Sequence, residues 1–234
     1  MMMRNVLEYL ERSASLFPHK TAAADMDTAC TYTQLLKDAR KMGSGLIPHF
    51  APRTPVPVLM DKSVDTLKIF FGVVYAGCFY VLINPEFPAP RIEAILNTLQ
   101  CRRIVTSRDM AEKLPDLPDL EPLFWEELVA QEENPAILRQ IRENALDTDP
   151  LYANFTSGST GTPKGVVVAH RSVIDFIECF TELFHITEED VIGNQAPFDF
   201  DVSVKDIYSA MKTGARLEIL PRSLFSAPAA LLDH

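Results

Sequence analysis

Positive charge is in short supply: 22 Lys and Arg face 32 Asp and Glu, for a net charge of −10. Duplex binding rests on clustered cations that neutralise phosphates, so this balance argues against a nucleic-acid partner. A single nucleotide stays open, because it needs only a local array of donors. Cysteine is scarce and unpaired. Cys30, Cys78, Cys101 and Cys179 show no CxxC spacing and the five histidines no paired spacing, which argues against a zinc centre or redox motif and suits a reducing cytoplasm. Small buried thiols are the expectation for three of the four. Long apolar runs are missing too. The run "IFFGVVYAGCFYVLI", residues 69–83, falls short of the ~20 residues a membrane-spanning helix needs. Gly72 and Gly77 interrupt it, so it reads as a helix end and a buried strand, with no membrane partner. The N-terminus carries Glu8 and Glu11 inside its apolar stretch and reads as an amphipathic helix rather than a secretion signal. Neither an internal repeat nor a low-complexity tract is present.

What is there alternates in period. Val6, Leu7, Leu10, Ala14 and Phe17 recur at helical steps, predicting a helix over residues 5–17. "TAAAD" and "TACTY" form a short strand pair. A helix follows, capped by Thr33 and stopping near Gly43 or Gly45. "VPVLM", "FYVLI" and "RRIVTS" are strands; "SVDTLKIFFGVVYAG", opened by Ser63, and "APRIEAILNTL" are the helices between them. Strand–helix alternation of this kind predicts an α/β fold of largely parallel sheet with crossover helices. Residues from Asp109 to Pro150 are acidic, proline-bearing and weakly periodic, and read as a partly helical surface connection in which "PAILRQIRENAL" could be a regular helix. Beyond it come the strands "LYANF" and "GVVVAH", a helix over "RSVIDFIECFTELF", the strand "DVIGNQAP", a helix ending at Gly214, and the strand "ARLEIL". Phe176, Cys179, Phe180 and Leu183 share helical spacing and read as core. Trp125 reads as core or as an anchor for the irregular segment, and His170 as a turn or cap residue rather than a base.

Between "LYANF" and "GVVVAH" lies "TSGSTGTPKG", residues 156–165. A solvated linker and a cradle for a polyanion are the two readings. The phosphate loop G-x-x-x-x-G-K-[ST] does not match, because Pro163 stands where its second glycine belongs and Gly165 where Ser or Thr belongs. What remains is a wide turn. Gly158, Gly161 and Gly165 free backbone N–H groups, and Thr156, Ser157, Ser159, Thr160 and Thr162 add hydroxyls. Lys164 offers a compact cation, with Pro163 restraining the backbone beside it. The apolar strands on both sides weigh against a linker.

"FTSGSTGTPKG" resembles, almost letter for letter, the phosphate-binding signature of the adenylate-forming (AMP-binding) superfamily. "TYTQLLKDARKMGSGL", "YAGCFYVLINPEFPAPRI" and "NQAPFDFDVSVKDIYSAMKTGARL" resemble three further segments of its amino-acid adenylation domains, in order and spacing. The resemblance implies mixed, largely parallel sheets belonging to an incomplete N-terminal domain of that fold, across residues 1–234. It implies ATP as cosubstrate, with attack of a carboxylate on the α-phosphorus and loss of pyrophosphate. Thr156, Ser157, Gly158, Ser159, Thr160, Gly161 and Lys164 match the positions that hold the β- and γ-phosphates. Asp201 matches the carboxylate that binds the substrate's α-amino group; the bland alternative is that Asp201 or Asp199 caps the following helix. The form "QAPFDFDVSVKDIY" is similar to D-alanine–carrier-protein ligases and points to a small amino acid.

The segments that in this family bind adenine, ribose and the Mg2+ ion have no counterpart up to His234, nor does the C-terminal domain with its catalytic lysine. The expectation is therefore the N-terminal portion of an amino-acid-activating enzyme, inactive alone, whose product passes to a carrier-protein thiol. The alternatives are a non-catalytic nucleotide- or partner-binding module and a fragment of a fatty- or aryl-acid–CoA ligase; Asp201 weighs against the last. An apolar edge is expected from residue 217 to 234, covered by self-association or a complementary chain.

Overall fold

The computed structural model describes residues 3–156, 163–221 and 224. Helix α1 (Leu7–Leu16) leads into strands β1 (Thr21–Ala24) and β2 (Ala29–Thr31), helix α2 (Tyr32–Leu46), β3 (Pro55–Leu59), α3 (Val64–Tyr75), β4 (Phe79–Ile83), α4 (Ala89–Leu99) and β5 (Arg103–Thr106). After a 3-10 turn come β6 (Glu121–Phe124), α5 (Trp125–Val129), α6 (Pro135–Glu143), β7 (Pro150–Thr156) and β8 (Lys164–Ala169). The described part closes with α7 (His170–Leu183), β9 (Val191–Asn194), α8 (Ser203–Thr213) and β10 (Arg216–Ile219).

These strands make two sheets. One has the order β6-β5-β3-β4-β7-β8 and is parallel except for the β7–β8 hairpin. The other has the order β2-β1-β10-β9, with β1, β10 and β9 parallel. Parallel strands demand crossovers, and the helices that supply them fill the space around the sheets. A stacked aromatic column sits in the core. The Phe70 and Tyr80 rings lie 4.0 Å apart and Tyr80 and Tyr152 5.8 Å apart. The Tyr80 and Tyr208 hydroxyls meet at 3.1 Å, satisfying two polar atoms that burial would otherwise orphan.

The structure corrects several expectations. Helix α2 is capped by Thr31 rather than Thr33: the Thr31 hydroxyl accepts from Gln34 N–H while Gln34 Oε1 accepts from Thr31 N–H, a reciprocal pair. The helix runs straight through Gly43 and Gly45 because tertiary contact, not helix termination, demands those glycines. A Cβ on Gly43 would stand 2.6 Å from Tyr75 Cβ, and one on Gly72 2.4 Å from Met42 Cγ, so the two helices touch backbone to side chain. The 109–150 connection is more ordered than expected. It supplies a sixth strand, β6, at the sheet edge, where Pro122 is tolerated because only one side is paired. Asn134 caps α6 by accepting from Ile137 N–H. Trp125 opens α5, partly buried against the core, with Lys68 Nζ over its ring.

Two further corrections concern surfaces. Phe176, Cys179 and Leu183 of α7 are exposed and Phe180 only half-buried; the buried stripe is Val173, Ile174, Ile177 and Thr181. This helix is apolar on two sides, and periodicity alone could not say which side faces the sheets. The edge expected at residue 217 is not one. Strand β10 is paired on both sides, with Leu217 and Ile219 buried, while residues 225–234 of that expectation lie outside the described residues. His170 is the first residue of α7 and is buried, its Nδ1 accepting from Val6 N–H at 3.4 Å. Burial, with Arg142 nearby, pushes its pKa down to about 4.

Candidate active site

A cleft of about 1190 Å³ opens where the carboxyl ends of β4, β7 and β9 converge. Crevices outside the carboxyl ends of parallel strands are where open α/β sheets bind ligands, since loops there diverge to either side. One wall is the β7–β8 hairpin, including Tyr152, Thr156 and Val168; the other is the loop after β9, including Gln195, Asp199 and Asp201. The hairpin register sets Thr156 directly opposite Lys164, so both ends of the intervening segment stand together, with Thr156 at the cleft. Of the expected phosphate-binding residues, Thr156 lines the cleft and exposed Lys164 is its cross-strand partner. Ser157, Gly158, Ser159, Thr160, Gly161 and Thr162 lie outside the described residues.

Gly165 has a packing role that the motif concealed. It is the cross-strand partner of Phe155, and a Cβ there would come within 3.1 Å of that ring. The phenyl group thus lies over the glycine and covers backbone that a side chain would otherwise shield.

Asp201 stands on the opposite wall, exposed, two residues before α8. Helix α8 has no side-chain cap, so neither Asp199 nor Asp201 is spent on its N-terminus. Asp199 accepts from Asn84 Nδ2 at 3.4 Å. The Asp201 carboxylate has no hydrogen-bond or ion-pair partner among the described residues. Two carboxylates on a rim suit a cation in the cleft. Tyr152 on the hairpin wall is buried, and burial together with the Asp201 charge raises its phenol pKa. The phenol stays neutral at ordinary pH, an uncharged group beside the Asp201 carboxylate.

Sequence reasoning passed over Lys62. It is half-buried beyond the carboxyl end of β3, and its Nζ reaches the carbonyl oxygens of Asn194 (3.1 Å), Gln195 (2.9 Å) and Ala196 (3.4 Å). The signal available in the sequence was a cation just after an apolar strand and directly before a helix cap, a place where parallel folds put site residues.

The AMP-binding enzyme family profile matches residues 10–234. The chain belongs to that family. Over 230 residues, 96% of its length, this AMP-binding chain is 32% identical to the dimodular nonribosomal peptide synthase of Bacillus subtilis (strain 168), of which it covers 10%. It is 30% identical over 98% of its length to the D-alanine–D-alanyl carrier protein ligase of Staphylococcus aureus (strain Newman), covering 45% of that protein. Among solved structures, the nonribosomal peptide synthetase FmoA3 in its alpha-methyl-L-serine-AMP bound form matches with a TM-score of 0.81 and 25% identity, over 93% of this chain and 24% of that one. The AMP-binding chain thus spans less than half the length of these relatives, and the part it matches contains the N-terminal fold expected from its motifs. No described helix is long and apolar enough to cross a membrane.

Proposed function

We propose that this AMP-binding chain is the N-terminal portion, residues 1–234, of an ATP-dependent enzyme that activates an amino acid as its aminoacyl adenylate. In the reaction a carboxylate oxygen of the substrate attacks the α-phosphorus of ATP and the acyl–phosphate bond forms. The bond to the bridging oxygen breaks, and pyrophosphate leaves with the electron pair. Negative charge builds on the leaving phosphates, where fixed donors and a cation lower the barrier. Thr156, Ser157, Gly158, Ser159, Thr160, Gly161, Thr162, Lys164 and Gly165 are proposed to supply them. The α-ammonium of the amino acid pairs with Asp201, orienting the carboxylate toward the phosphate. The observation that carries this reading is the Asp201 carboxylate: partnerless among the described residues, unused as a cap, and on the same cleft as Thr156. The relatives named above, a peptide synthase and an amino-acid–carrier ligase, support an amino acid as substrate and a carrier-protein thiol as acceptor. ATP would bring Mg2+, which neutralises phosphate charge. The ion's protein ligand is proposed, as the family resemblance implies, to come from the part of the enzyme that follows these residues.

Exchange of labelled pyrophosphate into ATP, run with a panel of amino acids and of fatty and aryl acids, tests the proposal. The chain alone should be silent. Fused to the part of the S. aureus ligase that follows the matched stretch, it should exchange with an amino acid. Exchange by the chain alone would overturn its inactivity by itself, and exchange driven by a fatty or aryl acid would overturn the amino-acid reading.

The exposed apolar side of α7 supports a second proposal, that this surface is covered in the working protein by self-association or a complementary chain. Phe176, Phe180 and Phe184 form a ladder there with centroids 5.4 and 4.6 Å apart, and Leu183 is 73% exposed beside it. Contiguous exposed apolar surface is where interaction sites are found.

A further inference from the structure

Lys62 joins the two sheets at the cleft. Its backbone stands on a braced platform. Ser63 caps α3 by accepting from Thr66 N–H at 3.2 Å, the Thr66 hydroxyl donates to Asp61 O at 2.5 Å, and Val64 N–H donates to Asp25 Oδ2 at 2.7 Å. From there the side chain crosses from the end of β3, in the six-stranded sheet, to the end of β9, in the four-stranded one. An ammonium has three donors and no acceptor, and here it faces three successive main-chain carbonyls plus Asn194 Oδ1 at 3.4 Å. Asn194, fully buried, passes the connection on: its Nδ2 donates to Asp206 Oδ2 at 3.0 Å, and Lys205 pairs with the other oxygen of that carboxylate. Asp206 belongs to the first turn of α8. The loop between β9 and α8, which carries Asp199 and Asp201, is therefore tied at its start by Lys62 and at its end through Asp206.

We infer that Lys62 is a positioning residue: its ammonium gathers the Asn194, Gln195 and Ala196 carbonyls and so sets where the Asp199–Asp201 wall of the cleft stands relative to the β7–β8 hairpin. Hydrogen bonds from a charged donor are the stronger class, and a carbonyl cluster left without them would repel itself. Three carbonyls pointing at one spot also explain why a lysine is used. A flexible stem with a compact, rotatable head can face them all, whereas a planar guanidinium meets fewer. The significance for substrate selection rests on the amine-recognition reading of Asp201; the brace itself does not.

Residue-resolved amide exchange on the 234-residue chain, without substrate, tests the inference. Phe200, Ser203 and Val204 N–H groups donate to Pro197, Phe200 and Asp201 carbonyls and report on the wall; amides of α2 report on the rest of the fold. In Lys62→Met the three wall amides should exchange roughly tenfold faster or more, the loss expected of a charged hydrogen bond, with α2 unchanged. Lys62→Arg should recover part of the protection. Unchanged wall amides in Lys62→Met would overturn the inference. So would acceleration shared equally by α2, or an arginine variant as fast as methionine. Should the methionine variant not fold, Lys62→Gln, which keeps N–H donors without charge, takes its place with the same outcomes. Amino-acid selection by Asp201→Ala tests the amine reading separately, so either can fail alone.

Discussion

Thr156 on β7 and Lys164 on β8 are cross-strand partners, so the cation at one end of the glycine-rich segment is held beside the hydroxyl at the other. The pairing is made by an antiparallel hairpin at the edge of an otherwise parallel sheet. In the fused, active protein, Lys164→Ala should slow pyrophosphate exchange by about tenfold, one charge-assisted hydrogen bond among many shared donors. Steady-state kinetics against ATP would read it. A loss of several thousandfold would mean the lysine acts nearly alone.

Asp201→Ala should raise the KM for the amino acid by about 10- to 100-fold, the value of a carboxylate–ammonium contact. The KM for ATP should stay close to the parent value. Separate titrations of the two substrates decide it; equal losses in both would assign Asp201 to folding.

The α7 ladder leads to a prediction about association. At rising concentration the chain should show larger species by sedimentation, and Phe184→Asp should shift them back toward monomer. Phe184 is 60% exposed, so the substitution should leave the thermal midpoint nearly unchanged. A monomer at every concentration would remove the self-association half of that proposal.

Gly72→Ala should destabilise the fold. An added Cβ would lie 2.4 Å from Met42 Cγ and 2.5 Å from Met42 Cβ, forcing α2 and α3 apart. Overpacking of this kind costs about 1–3 kcal/mol, a fall of several degrees in Tm for a chain of this size. Differential scanning calorimetry of the pair of proteins measures it. Alanine's better helix propensity acts in the opposite direction by about 1 kcal/mol and reduces the net loss.

His170 makes stability depend on pH. Its folded pKa is depressed to about 4 by burial and by Arg142, against an unfolded value near 6.5. Between those values the unfolded chain binds the proton and the native chain does not, so stability is present above about pH 6.5 and is lost as pH falls toward 4. The contribution is about 3 kcal/mol. Urea melts at pH 7 and pH 4.5 should differ by more in the parent than in His170→Gln, and an equal difference would place the acid sensitivity elsewhere.

Much of this protein was legible without coordinates. Apolar runs bounded by glycine, proline and cap residues locate nearly all strands and helices, because alternation and capping are local properties. The glycine-rich decapeptide and Asp201 stood out because their residue types carry chemistry wherever the chain puts them. Tertiary structure alone decided the rest. It turned Gly43 and Gly45 from helix stops into contact points, recruited β6 as an edge strand despite Pro122, and sent the phenylalanine side of α7 outward. It placed β10 inside its sheet and brought Lys62 to the carbonyls at the end of β9, 132 positions away for Asn194. Each of these depends on which surfaces meet across long stretches of chain, and a one-dimensional pattern holds no record of that pairing.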